Sequence, residues 1–106
     1  MSDLNQESWT KQLKSDNNAV VLDVRTDMEI AEGFIPNAIH IDLHKGQGFI
    51  DELQALDKNK NYYVYCKSGG RSAQACAVMN QLGFGNTFNL LGGFSEWKGE
   101  VALISD

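Results

Sequence analysis

The run Ala19-Val20-Val21-Leu22 is apolar without interruption and rich in β-branched residues, the mark of a strand buried on both faces. Such a strand needs cover above and below, and a parallel sheet with crossover helices provides it. The rest of the chain alternates in that way. Gln6 to Lys14 sets Trp9 and Leu13 four apart, with Asn5 as N-cap, and predicts a helix. Thr26-Asp27-Met28-Glu29 is a capping box that starts a short helix ending near Gly33. Ile39 to Ile41 predicts a brief strand after the Pro36-Asn37 turn, and Phe49, Leu53 and Leu56 line one face of the next helix. Asn61 to Tyr65 predicts a strand that ends at Cys66. From Arg71 to Leu82, Ala75, Val78, Met79 and Leu82 fall at i, i+3, i+4 and i+7, an amphipathic helix with Gly83 as its stop. Thr87 to Leu90 predicts a last strand, followed by Gly92-Gly93 and a helical turn through Trp97. The class expected is α/β, with a mainly parallel central sheet and helices on both faces.

With 106 residues, one proline, no repeat and no linker-like stretch, a single domain over 1–106 is expected. Nine Lys+Arg against fourteen Asp+Glu leave a charge of -5, which argues against nucleic acid or an anionic membrane as partner. No apolar run approaches the roughly 18 residues of a membrane span. The opening Met1-Ser2-Asp3-Leu4-Asn5-Gln6-Glu7 lacks the basic and apolar regions of a signal peptide. Two cysteines make no disulfide framework. A cytoplasmic setting is the expectation.

The segment Tyr65-Cys66-Lys67-Ser68-Gly69-Gly70-Arg71-Ser72 carries the chemistry. Cys66 stands at a strand end, where parallel α/β sheets place ligand sites. Two glycines let the backbone curl so that successive N–H groups point inward, and the following helix adds its own N–H groups and dipole. Lys67 and Arg71 add two cations with no acid between them. Each feature favours thiolate over thiol, so the pKa of Cys66 is expected to fall. The bland alternative is a packing cysteine beside an ordinary turn, with Lys67 and Arg71 as solvated surface charge.

Other residues attract less. Cys76, ten positions on, flanks the apolar stripe and is expected to be a semi-buried packing residue. Asp23 and Arg25 are expected to form a structural pair that fixes the neighbouring turn. His40 and His44, with Asp42 between, lack a third ligand, so no metal is expected. Tyr62, Tyr63 and Tyr65 are expected to pack the sheet faces. Trp97 is expected to anchor the C-terminal segment, and 101–106 have no assigned role.

Taken together, three segments resemble the rhodanese homology domain. Cys66-Lys67-Ser68-Gly69-Gly70-Arg71-Ser72 is similar to its active-site loop. Leu22-Asp23-Val24-Arg25 with Glu29, then Gly33-Phe34-Ile35-Pro36-Asn37-Ala38-Ile39, is similar to its N-terminal signature. Leu90-Leu91-Gly92-Gly93-Phe94-Ser95-Glu96-Trp97 is similar to its C-terminal one. Two positions depart: Phe34 stands where the family usually has histidine, and Asn37 where it often has glycine.

The resemblance implies a three-layer α/β sandwich and sulfur transfer through a persulfide on Cys66. Lys67, Ser68, Gly69, Gly70, Arg71 and Ser72 would form the substrate cradle. The implied partners are a small anionic sulfur donor, such as thiosulfate or a polysulfide, and a thiol or cyanide acceptor, with a protein acceptor as an alternative. No cofactor is implied, and a monomer is expected. Two function classes stay open: a sulfurtransferase with turnover, and a persulfide relay module that serves a protein partner. A cysteine-dependent phosphatase or arsenate-type reductase is disfavoured. Those loops place five residues between Cys and Arg, whereas four, Lys67 to Gly70, intervene here.

Overall fold

The computed structural model describes residues 1–104. Five strands form one sheet: β1 (Ser2–Leu4), β2 (Ala19–Asp23), β3 (Ile39–His40), β4 (Asn61–Tyr65) and β5 (Asn86–Leu90). Their order across the sheet is β1-β5-β4-β2-β3, and every pairing is parallel. Four α-helices connect them: α1 (Gln6–Lys14), α2 (Asp27–Ile30), α3 (Gln47–Gln54) and α4 (Gly70–Gln81). Two 3-10 turns, Leu43–Lys45 and Phe94–Glu96, complete the regular structure. The fold is the expected α/β class, with helices on both faces of the sheet.

Strand alternation divides the core in two. On one face Leu22, Tyr62 and Val64 meet Phe49 and Leu53 of α3 and Ala75, Cys76 and Met79 of α4. On the other, Val21, Tyr63, Tyr65 and Leu90 meet Trp9 of α1, with Phe94 and Trp97 packed against them. Trp9 lies edge-on to Tyr63 at 5.7 Å and donates its indole N–H to the Phe88 carbonyl at 3.1 Å, so its one polar atom is satisfied inside the core.

The local chemistry accounts for the boundaries. Asn5 caps α1 by accepting from Ser8 N–H at 2.9 Å. The Thr26–Glu29 capping box closes reciprocally at the start of α2. Gly83, at φ +100, follows α4 in the left-handed region that terminates helices.

Beyond shifts of one to three residues at the ends of α2, α4 and β5, four details differ from the sequence reading. The strand β1 has no apolar run to announce it, and its pairing with β5 makes it a strand. The strand expected over Ile39 to Ile41 ends at His40, the last residue paired with β2, and Ile41 N–H completes that pair by donating to the Asp23 carbonyl at 3.0 Å. Leu56 lies just past the end of α3 while still packing on the core. Cys76 is wholly buried rather than semi-buried.

Candidate active site

Cys66 follows β4, the third of the five strands, at the carboxyl end of the sheet, and α4 begins four residues later. Its side chain sits at the base of the loop and is almost fully buried. Gly69 N–H donates to Sγ at 3.0 Å, and the Ser72 hydroxyl lies 3.3 Å from it. Gly69 has φ +108, a conformation that turns its amide inward and that L side chains rarely adopt. Burial pushes the Cys66 thiol up, but the Ser72 hydroxyl and the amides of Ser72, Gly69 and Ser68 outweigh it. The net direction is down, toward thiolate. Lys67, Ser68 and Gly70 are exposed at the mouth, and nothing lies within 4 Å of where a Gly70 Cβ would stand. The loop is open on that side.

The C-terminal turn holds the base of the loop. Phe94 N–H donates to the Cys66 carbonyl at 2.9 Å, and Ser95 N–H to the Lys67 carbonyl at 2.9 Å. The Ser95 hydroxyl donates to the same Lys67 oxygen. Gly93 makes this approach sterically feasible. A Cβ there would stand 2.6 Å from the Cys66 oxygen and from the Lys67 carbonyl carbon and oxygen.

The two loop cations have different fates. Lys67 is exposed and forms no ion pair among the described residues. Arg71 is engaged by Glu29 through two parallel bonds, Nη1 to Oε1 at 2.7 Å and Nη2 to Oε2 at 2.8 Å. The Arg71 guanidinium is the main reason that the Glu29 carboxyl falls to about 2. Of the two loop cations, Lys67 alone is without an ion pair among the described residues. Lys67 and the start of α4 supply the positive field, while Arg71 ties the loop to α2.

Behind the site, Asp23 and Arg25 form the anticipated pair, buried and 2.8 Å apart. Arg25 also donates to the Gly33 carbonyl at 2.7 Å and lies over the Phe94 ring at 4.3 Å. Satisfied on all sides, it braces the turn that presses on the loop. The Tyr65 hydroxyl accepts from Ile35 N–H at 2.9 Å, and burial pushes its pKa strongly up.

Both departures from the family pattern are accommodated. Asn37 adopts φ 68, the region that asparagine tolerates best after glycine. Phe34 forms a backbone bridge with Ala102, donating at 3.0 Å and accepting at 2.8 Å.

The remaining candidates fall outside the site. Cys76 lies in the core under α4, where burial pushes its thiol up to about 11. His40 Nε2 bonds to the Arg25 carbonyl at 2.6 Å, and His44 faces Asp42 at 3.2 Å. Trp97 donates to the Glu100 carbonyl at 2.8 Å and packs against Trp9. A surface hollow of about 1020 Å³ between α1 and the C-terminal turn contains no residue of the 66–72 loop. The sequence reading missed Asn89 and gave Glu29, Gly93 and Ser95 no function of their own. For Glu29 the capping box was a signal that the residue was structurally engaged, though not that it reached Arg71.

The chain as a whole is similar to known proteins. The family model of the rhodanese-like domain matches residues 6–100. A protein of Allochromatium vinosum named sulfurtransferase is 34% identical over 97 residues, covering 92% of this chain and 88% of its own length. The thiosulfate sulfurtransferase GlpE of Pseudomonas aeruginosa is 35% identical over 100 residues, covering 92% and 88%. The crystal structure of a rhodanese-like domain protein from Staphylococcus aureus superposes with a TM-score of 0.85 at 31% identity, covering 99% of this chain and 100% of that one. The chain belongs to the rhodanese-like domain family.

Proposed function

We propose that this rhodanese-like domain is a sulfurtransferase that carries sulfane sulfur as a persulfide on Cys66. The observation that carries the reading is the Gly69 N–H aimed at Sγ at 3.0 Å, beside the Ser72 hydroxyl and the start of α4. Donors that converge on sulfur stabilise an anion there, and the same ring suits the charged sulfur of a persulfide.

In the first step the Cys66 thiolate attacks the outer sulfur of thiosulfate or of a related persulfide or polysulfide. A new S–S bond forms, the donor's own bond to that sulfur breaks, and sulfite or a thiolate leaves with the electron pair. Both are stable anions, so no general acid is required, in keeping with the absence of histidine from the 66–72 loop. In the second step a thiol or cyanide attacks the outer sulfur, and the Cys66 thiolate is released. Lys67 draws the anionic donor to the mouth, and Ser68, Gly69, Gly70 and Ser72 cradle it. Arg71 acts by holding the loop against Glu29. The names of the relatives support this chemistry, and thiosulfate is the first donor to try. Two free cysteines suit a reducing compartment such as the cytoplasm, and the reading calls for no cofactor.

Steady-state thiocyanate formation from thiosulfate and cyanide tests the proposal. Turnover that disappears in Cys66→Ser supports it. A persulfide that forms without turnover replaces the enzyme with a relay module, and turnover that survives Cys66→Ser removes the role of Cys66.

A further inference from the structure

The Ser72 hydroxyl has one proton and three acceptors around it. Its Oγ lies 3.3 Å from Cys66 Sγ, 3.2 Å from the Gly69 carbonyl and 2.5 Å from Asn89 Oδ1. Ser72 and Asn89 are both buried, so water does not relieve the competition. The orientation of the Asn89 amide follows from its other partners. Nδ2 faces two acceptors, the Asp3 carboxylate at 2.9 Å and the Gly69 carbonyl at 3.2 Å, so the nitrogen must lie there and the oxygen must face Ser72.

We propose that Asn89, oriented by Asp3, is a positioning residue that competes with the Cys66 sulfur for the Ser72 proton. In the thiol state the chain is complete: S–H faces the Ser72 oxygen, Ser72 O–H donates to Asn89, and Asn89 N–H donates to Asp3. In the thiolate state the Ser72 proton must turn to sulfur. Two oxygens, Ser72 Oγ and Asn89 Oδ1, are then left face to face with no proton between them. Flipping the amide relieves that clash only by setting Oδ1 against the Asp3 carboxylate. The network therefore opposes part of the pull that the loop amides exert toward thiolate.

Restraint of this kind suits sulfur exchange. A thiolate with too low a pKa is a weak nucleophile, and the best attacking thiol titrates near the ambient pH. Once Cys66 bears an outer sulfur, the charge moves to that atom, and the Ser72 proton returns to Asn89. The network thus favours the loaded cysteine over the bare thiolate. It also links β1, through Asp3, to the reacting atom.

Other charged and titratable groups near the sulfur stay constant in the comparison. They are Lys67 in the loop, Arg71 with its partners Glu29 and Asp42, Cys76 on α4, and the Asp23–Arg25 pair beside β2.

The inference rests on Cys66 as the sulfur carrier, and its test uses the full chain. The rate of Cys66 alkylation by iodoacetamide is followed against pH, with the site located by mass spectrometry. Below the titration midpoint the rate follows the thiolate fraction. Asn89→Ala should raise that rate roughly threefold or more, and Ser72→Ala should lower it, from the loss of one hydrogen bond to the sulfur. Asp3→Asn should raise it in the same direction as Asn89→Ala, because the amide is then free to turn. Asp3 is exposed, so this variant carries the test where Asn89→Ala does not fold. On a Ser72→Ala background, Asn89→Ala should have no effect, a dependence that a merely structural role does not produce. The inference is overturned where Asp3→Asn leaves the low-pH rate unchanged or lowers it, or where Asn89→Ala acts equally without Ser72. A missing donor-derived persulfide on unsubstituted Cys66 overturns the sulfur-transfer reading instead, and the alkylation profiles remain readable beside it.

Discussion

Replacing Glu29 by Gln separates the charge of this residue from its cap. Glutamine at the third position of α2 can still accept from the Thr26 amide and complete the capping box, so the helix start survives. What disappears is the carboxylate held by Arg71 through two bonds of 2.7 and 2.8 Å. That carboxyl lies at about 2 in the folded chain, against 4.5 for the free group. The difference, 4.5 − 2 = 2.5 units, corresponds to a ceiling of about 3.4 kcal/mol at roughly 1.36 kcal/mol per unit.

Both side chains are partly exposed, 19% for Glu29 and 26% for Arg71, and solvent screening brings the figure to about 1–2 kcal/mol. In a domain of this size that is roughly 4–10 °C in Tm. Because the folded pKa is depressed, the contribution is fully present above about 4.5 and is lost as pH falls toward 2. Urea denaturation of both chains from pH 7 to pH 2.5 measures it. The stability gap should be about 1–2 kcal/mol and flat from pH 7 to 5, then narrow steadily below 4.5. A gap that is absent at pH 7, or constant across the whole range, refutes the reasoning.

Three further substitutions follow from the geometry. Gly93→Ala places a Cβ 2.6 Å from backbone atoms of Cys66 and Lys67, at φ +54. It should cost about 2–3 kcal/mol in denaturant titration and slow sulfur transfer as the loop base shifts. Lys67→Ala removes the exposed cation at the mouth and should raise KM for thiosulfate several-fold, while a neutral donor is little affected; equal changes for both donors would deny it a steering role. Tyr65→Phe strands the buried Ile35 N–H and should destabilise the chain by about 1–3 kcal/mol in thermal or denaturant unfolding.

Local patterns made much of the fold legible. The strand Asn61–Tyr65 matches its sequence reading end to end, because a run with tyrosines on both sides of Val64 has two faces to bury and Cys66 then begins the turn. The capping box at Thr26 and the stop at Gly83 are likewise local chemistry. β1 escaped because Ser2-Asp3-Leu4 has no pattern of its own, and only the edge of β5 makes it a strand. Cys76 looked marginal because its position flanks the regular stripe, yet α4 is pressed against β4 and β5 closely enough to bury that flank as well.

At the site the limits are of the same kind. The segment Cys66–Ser72 advertises its chemistry by residue type, glycine placement and position at a strand end. Its supports are distant in sequence. Glu29 reaches Arg71 only because β2 pairs with β4, which sets Asp23 opposite Tyr65 and brings the following loops together. Gly93 and Asn89 act through close approach and amide orientation, which no spacing reveals.

The central claim, that converging donors at the end of β4 make Cys66 a carrier of sulfur, is tested most directly by intact mass spectrometry after incubation with thiosulfate or a polysulfide. A single adduct of about 32 Da, located on Cys66 and discharged by cyanide, is the predicted result, one sulfur atom held covalently by the nucleophile. An unmodified Cys66, or an adduct located on Cys76, would contradict it.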